Sequence, residues 1–198
     1  MTIEFKYVKG ATPLAESSKK GLIPSLSTQD QLNEFEQYNI GLAMLWAGKS
    51  RKLKGNFLSV VGLQLLHEKM FDQTWNWAGK FRTFNTNLGI DWHQISEEVH
   101  KFCGDVKYWI DQKTFPWPEI AVRFHHRLVS VHPFPNGNGR HSRLAADLLL
   151  KFNKQAALSW GGNSNLHAAN TRRKKYTLAL QEADKGDVQR LLKFAQSE

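Results

Sequence analysis

The stretch Val131–Arg143, VHPFPNGNGRHSR, decides how the rest of the chain is read, because one periodic apolar segment ends where it starts and another begins inside it. It joins His132, Phe134, Asn136, Gly137, Asn138, Gly139, Arg140 and Arg143 within thirteen residues, a composition suited to holding phosphate. Gly137 and Gly139 can take backbone angles that expose successive N–H groups, and a helix beginning near Gly139 would point its unpaired N-terminal donors at the same place. Arg140 and Arg143 lie three apart on one helical face, so both guanidiniums can reach an anion held there. His132 stands just before the loop, where an imidazole can take a proton from a group attacking that anion. A lone GNG marks a turn and a lone histidine is more often structural, but a helix cap needs neither the asparagines nor two arginines at fixed offsets.

Working outward, the pattern is mostly helical. Thr28 followed by Gln31 matches a capping box, and Leu32, Phe35, Ile40, Ala43 and Trp46 give a loosely helical apolar set that Gly41 interrupts. The basic connector GKSRKLKGN leads to a second candidate helix over about 58–70, although VVGLQLL alone also fits a buried strand. Alternation around Phe81, Thr83 and Asn85 predicts a short hairpin over 81–90. Helical spacing returns from Ile95 through Trp109 and Ile110, stops at TFPWP, and resumes from Pro118 or Glu119 to Val131. After the loop, RHSRLAADLLLKFN forms a further helix, with Leu144, Ala145, Leu148 and Leu149 on its buried side. WGGNSNLHAANTRRKKY reads as a connector entering a helix near Arg172 with Tyr176, Leu178, Leu180 and Ala183 as its apolar residues, and DVQRLLKFAQ as a last short helix. His125 and His126 lie before the loop, but without HExxH or a third ligand they read as packed or hydrogen-bonded side chains.

With 198 residues, 41% of them hydrophobic, the chain can bury one core; residues 1–27 read as an irregular arm and 28–198 as a single domain. No run approaches the ~18 apolar residues of a membrane span, and MTIEFKYVKG lacks a signal peptide's apolar core, so a cytoplasmic protein without membrane contact is expected. Cys103 is the single cysteine and falls on an apolar helix stripe, which excludes an intramolecular disulfide. The net charge of +9 suits anionic ligands, yet the lysines and arginines are scattered and no nucleic-acid-binding signature is present. A basic nucleotide cleft explains the charge more simply than nucleic acid does.

The loop resembles the signature of the Fic/Doc family, His-x-Phe-x-(Asp or Glu)-Gly-Asn-Gly-Arg-x-x-Arg, through His132, Phe134, Gly137, Asn138, Gly139, Arg140 and Arg143, with Asn136 at the acidic position. The likeness extends over most of the chain and is closest to the small bacterial Fic proteins called mobile mystery protein B. It implies a Fic-like helical domain with a β-hairpin flap beside the site, and a nucleotidyltransferase that moves AMP from ATP to a serine, threonine or tyrosine hydroxyl of a target protein. By the same resemblance His132 is the general base and Phe134 the core anchor; Gly137, Asn138 and Gly139 hold the anion, Arg140 the distal phosphates, and Arg143 the γ-phosphate. The family's acidic residue binds magnesium, and an asparagine keeps one oxygen but not the charge, which implies a weaker magnesium site at Asn136. The alternatives are a divergent protein with weak or different transfer chemistry and a noncatalytic regulatory binding protein. Many relatives carry an inhibitory Ser/Thr-x-x-x-Glu-(Gly/Asn) helix whose glutamate pairs with the second signature arginine. Here the nearest sequence is DQLNEFEQYN, which makes Glu34 and Glu36 candidate regulators of Arg143, against the plainer reading of a solvated acidic face; failing both, a small antitoxin-like partner supplies the inhibition.

Overall fold

Thr28 starts the first long helix as its sequence foretells. In a computed structural model, which describes residues 3, 5, 13–162 and 171–197, its hydroxyl accepts from Gln31 N at 3.2 Å, and Gln31 Oε1 accepts from Thr28 N at 3.2 Å. A four-residue helix, α1 (Glu16–Lys19), precedes it. Helix α2 (Gln29–Ala47) then runs unbroken through Gly41, where an added Cβ would meet open space. Glycine there costs only its helix propensity, about 1 kcal/mol, which the burial of Leu32, Ala43 and Ala47 outweighs.

The basic connector is itself partly helical: Ser50 caps α3 (Arg51–Asn56) by accepting from Leu53 N at 3.1 Å. Ser59 caps α4 (Val60–Phe71) in the same way through Gly62 N, which settles VVGLQLL as helix. A 3₁₀ turn (Trp92–Gln94) leads into α5 (Ile95–Asp111), followed by α6 (Trp117–Val131) with proline in its first turn, and α7 (Asn138–Phe152). Helices α8 (Thr171–Ala183) and α9 (Gln189–Gln196) complete the described chain.

Helices α6 and α7 pack against each other, α5 lies on α6, and α4 touches both α2 and α7. Phe102, Phe124, Leu128, Leu148 and Leu149 fill the space between them, each worth about 1.5–3 kcal/mol when fully buried. The two helices that flank the signature loop are therefore embedded in the core, and the loop inherits their rigidity. Cys103 is buried there, and burial pushes its thiol up to about 12, as an inert core residue requires. Among the described residues no helix is long and apolar enough to cross a membrane.

Three expectations change. The hairpin over 81–90 is an irregular loop; the β pairing seen among the described residues is an isolated bridge between Leu22 and Trp75. Side chains take the place of a ladder: Asn85 Oδ1 accepts from Trp92 N at 2.9 Å, Asn85 Nδ2 donates to Asp91 at 3.2 Å, and the Arg82 guanidinium donates to the carbonyls of Phe84 and Ile90. In α8 the buried stripe is Tyr176, Ala179 and Ala183, leaving Leu178 exposed, because the spacing of three and four is met one residue further on. The arm is less irregular than its prolines suggest, since Trp77 Nε1 donates to Ser18 O at 2.9 Å. Residues 1, 2, 4 and 6–12 of the arm, and 163–170 of the connector before α8, lie outside the described residues.

Candidate active site

Helix α6 ends on His132, whose φ of 53° and ψ of 57° put it in the left-handed region. For a residue with a side chain this costs about 1–3 kcal/mol and persists only where neighbours enforce it. Arg82 enforces it. Its guanidinium is buried and works wholly on main chain, with Nε donating to His132 O at 2.8 Å and Nη2 to Val131 O at 3.4 Å, while Arg82 N donates to Pro133 O at 2.9 Å. Gly89, at φ +97°, closes the other side: a Cβ there would lie 2.6 Å from His132 Cβ and 2.8 Å from Arg82 Nη2. Burial lowers the His132 pKa to about 4, with the charge of Arg82 acting in the same direction and a backbone hydrogen bond at Val129 opposing it. His132 is thus neutral at ordinary pH and needs to lose no proton before accepting one.

Phe134 drives the loop into the core, stacked on His67 at 3.7 Å between ring centroids and tilted against Phe81 at 5.4 Å. Asn138 serves as a brace: its Oδ1 accepts from Phe134 N at 2.9 Å and its Nδ2 donates to Phe134 O at 2.8 Å. The expected anion contact by Asn138 is therefore left to its main chain, since the side chain is buried and turned onto Phe134. Gly137 has φ +78° at the N-cap of α7, where a Cβ would meet the Phe71 ring at 2.6 Å, and no side-chain cap covers the helix start. The first-turn N–H groups of Asn138, Gly139 and Arg140 have no partner within the helix, as at any helix N-terminus, the kind of end that suits an anion. Asn136 turns back on the loop, its Oδ1 accepting from Gly137 N at 2.5 Å.

The two arginines diverge in their partners. Arg140 Nη1 donates to Glu36 Oε2 at 2.7 Å and its guanidinium lies 4.9 Å from the Phe71 ring centre. Glu36 is 4% exposed and its other oxygen accepts from Trp75 Nε1 at 2.7 Å. Arg143 lies 5.6 Å from the Tyr176 ring centre. Two corrections follow. The glutamate that reaches the signature is Glu36, and it takes Arg140 instead of Arg143, because α2 presents position 36 to the first turn of α7. Glu34 faces solvent, so the solvated-face reading holds for it and fails for Glu36.

His125 is packed and hydrogen-bonded as its position predicts, with Nε2 3.0 Å from Tyr176 Oη; burial raises the tyrosine's pKa and Arg143 opposes the rise. The described residues contain no group of three His, Cys, Asp or Glu side chains able to hold a metal ion. Sequence reasoning overlooked Arg82, Gly89, His67 and Tyr176 as parts of the site. For Arg82 a signal existed, a cation inside the apolar and aromatic run WAGKFRTF; His67 and Tyr176 are indistinguishable from ordinary core positions until the fold brings them to the loop.

Residues 57–150 match the model of the Fic/DOC family. The protein adenylyltransferase fic-1 of Caenorhabditis briggsae is 37% identical over 76 residues, covering 37% of this chain and 15% of that protein. The protein adenylyltransferase Fic of Aedes aegypti is 24% identical over 83% of this chain and 32% of its own length. This chain thus spans less than a third of either relative. The crystal structure of BepC from Bartonella tribocorum with bound AMPPNP superposes with a TM-score of 0.59 at 20% identity, covering 96% of this chain and 93% of that one, a likeness of fold.

Proposed function

We propose that this chain, whose residues 57–150 match the Fic/DOC family model, is a protein adenylyltransferase, moving AMP from ATP to a hydroxyl side chain of a target protein. The observation that carries the reading is the pairing of a buried neutral imidazole, His132, with the uncapped N-terminus of α7 at the two ends of one rigid loop. Adenylyltransferase relatives and the AMPPNP-bound BepC support ATP as the donor.

In this reading His132 takes the proton of a target serine, threonine or tyrosine hydroxyl as its oxygen attacks the α-phosphorus. The new oxygen–phosphorus bond forms, the bond from the α-phosphorus to the bridging oxygen breaks, and pyrophosphate leaves with that electron pair. Main-chain N–H groups of Gly137, Asn138 and Gly139 steady the charge on the transferring group, which counts for more in a water-poor loop than in solution. Arg140 and Arg143 hold the distal phosphates, Arg140 once it is released from Glu36. Phe134 keeps the loop from moving.

The donors present do not build a magnesium site. Asn136 carries no charge, its one side-chain oxygen is taken by Gly137 N–H, and no carboxylate cluster stands beside it. Magnesium brought by ATP would have to be held by phosphate oxygens and water. Asn136 also favours the alternative, a divergent protein that binds nucleotide but transfers AMP poorly or transfers another group.

Pure protein incubated with magnesium and either α-labelled or γ-labelled ATP separates these readings. Label from the α-position alone, covalently bound to protein and lost in His132→Ala, is the expected result, with a fall of about 10²- to 10⁴-fold in transfer. Label from the γ-position means kinase chemistry, and no label from either leaves a binding protein.

A further inference from the structure

His67 lies on α4, outside the signature, and is completely buried. Its two ring nitrogens meet two main-chain groups of fixed character. Nδ1 is 3.0 Å from Gly79 N, which can only donate, and Nε2 is 3.1 Å from Asn136 O, which can only accept. One tautomer satisfies both, with Nδ1 bare and Nε2 carrying the hydrogen, and neither partner can exchange roles. Burial together with the nearby His141 holds the His67 pKa well below its ordinary value, in keeping with a permanently neutral ring. The ring also lies nearly parallel to Phe134, at 16°, so the loop's own anchor fixes its plane.

The carbonyl that His67 holds belongs to the peptide joining Asn136 to Gly137. In a trans peptide the C=O and the following N–H point in opposite directions across one rigid plane. A carbonyl drawn inward to His67 therefore sends the Gly137 N–H outward, where it meets an oxygen, that of the Asn136 side chain, at 2.5 Å. Turning the plane over would strand a buried imidazole N–H without an acceptor.

We infer that His67 is the positioning residue that sets the Asn136–Gly137 peptide and so aims the Gly137 amide at the transferring phosphate. The inference rests on the adenylyltransferase reading for the identity of that phosphate, but the peptide's orientation can be measured without it. His67 acts through Gly137 and exchanges no proton with substrate. Asn136 occupies the amide in the resting chain, and a phosphate oxygen takes its place on binding.

Two substitutions divide the histidine's functions. His67→Gln places an amide NH₂ near the position of Nε2 and can keep the bond to Asn136; His67→Asn places an oxygen near Nδ1 and keeps only the bond to Gly79. The expected result is a kcat for His67→Asn lowered about 10²-fold at saturating ATP with little change in KM, since small misplacement of a transition-state donor falls mainly on the chemical step. His67→Gln regains most of that loss. In ¹⁵N-glycine-labelled protein, the Gly137 amide exchanges faster in His67→Asn than in His67→Gln. Equal kcat and equal Gly137 exchange in the two variants, whatever their melting temperatures, would overturn the inference and leave His67 a packing residue. Should the parent transfer no label, the functional reading fails by itself and Gly137 exchange decides the positioning. Ring ¹⁵N shifts of the parent give a check that needs no variant: Nε2 protonated and Nδ1 bare is required, and the other tautomer sinks the proposal.

Discussion

Asn136 is the residue at which chemistry and sequence part, and its side chain makes the difference testable. The amide oxygen that could face a cation instead accepts from Gly137 N–H, so the loop is held by a neutral group where a carboxylate would attract a metal. Asn136→Asp adds a charge and a second oxygen at the mouth of the proposed phosphate site. The magnesium concentration giving half-maximal transfer is expected to fall about tenfold, equivalent to ~1.4 kcal/mol. A titration in which the requirement stays the same or rises would show that the loop has been rebuilt around the amide. Much of this scale was legible: the glycines, His132 and Phe134 stand where their spacing requires. Asn138 was not, because its side-chain bonds to Phe134 are invisible until the loop is folded. Nor was the partner of Arg140, which lies 104 positions away in the chain.

Helix α2 shows why a single helix can carry two readings. Its capping box and apolar spacing were plain in the sequence, yet which of two glutamates turns inward depends on how the helix is rotated against α4 and α7, and that is decided by tertiary packing. The loop over 81–90 was misjudged for a related reason, since period-two alternation cannot distinguish a strand from a segment pinned by one buried arginine. Glu36 buries a carboxylate between Trp75 and Arg140, so it both stabilises the fold and occupies the cation proposed to hold phosphate. Glu36→Gln can keep the Trp75 bond while removing the competing charge. ATP affinity is expected to rise about tenfold or more, as loss of a charged hydrogen bond worth ~1.5–3 kcal/mol allows, with transfer rising alongside it. Thermal stability moves the other way, because Arg140 loses its partner in a partly buried place. Glu34→Gly, on the exposed face, is the control and leaves transfer at the parent rate. Calorimetry with ATP and a melting curve on the same samples check both directions, and an affinity that does not move removes Glu36 from control of the site.

At the scale of the whole molecule, helical content and the loop's position between two buried helices followed from periodicity, whereas the number of histidines the core would enclose did not. Among the described residues four, His67, His125, His132 and His141, are buried with pKa values lowered chiefly by burial, to about 4 for His132 and His141 and well below the ordinary value for the other two. A histidine so lowered is neutral in the folded chain at a pH where the unfolded chain already binds a proton. Its contribution is therefore fully present above about pH 6.5 and is lost as pH falls towards the folded value. Asp147 acts oppositely: burial raises its pKa to about 6 despite its bonds from Trp160 and Leu158, so acidification to pH 5 returns roughly 1 kcal/mol. His132 and His141 each remove on the order of 1–2 kcal/mol over the same interval, and His67 and His125 act in the same direction, so the histidines outweigh the aspartate. Denaturant unfolding at pH 7.5, 6 and 5 is expected to show stability falling by several kcal/mol, most steeply below pH 6.5. His132→Ala, lacking one of the four, should fall by about 1–2 kcal/mol less than the parent between pH 7.5 and 5. A parent whose stability is level or rises on acidification, or a His132→Ala variant with the parent's slope, would mean that these imidazoles are hydrated and protonated in the folded chain.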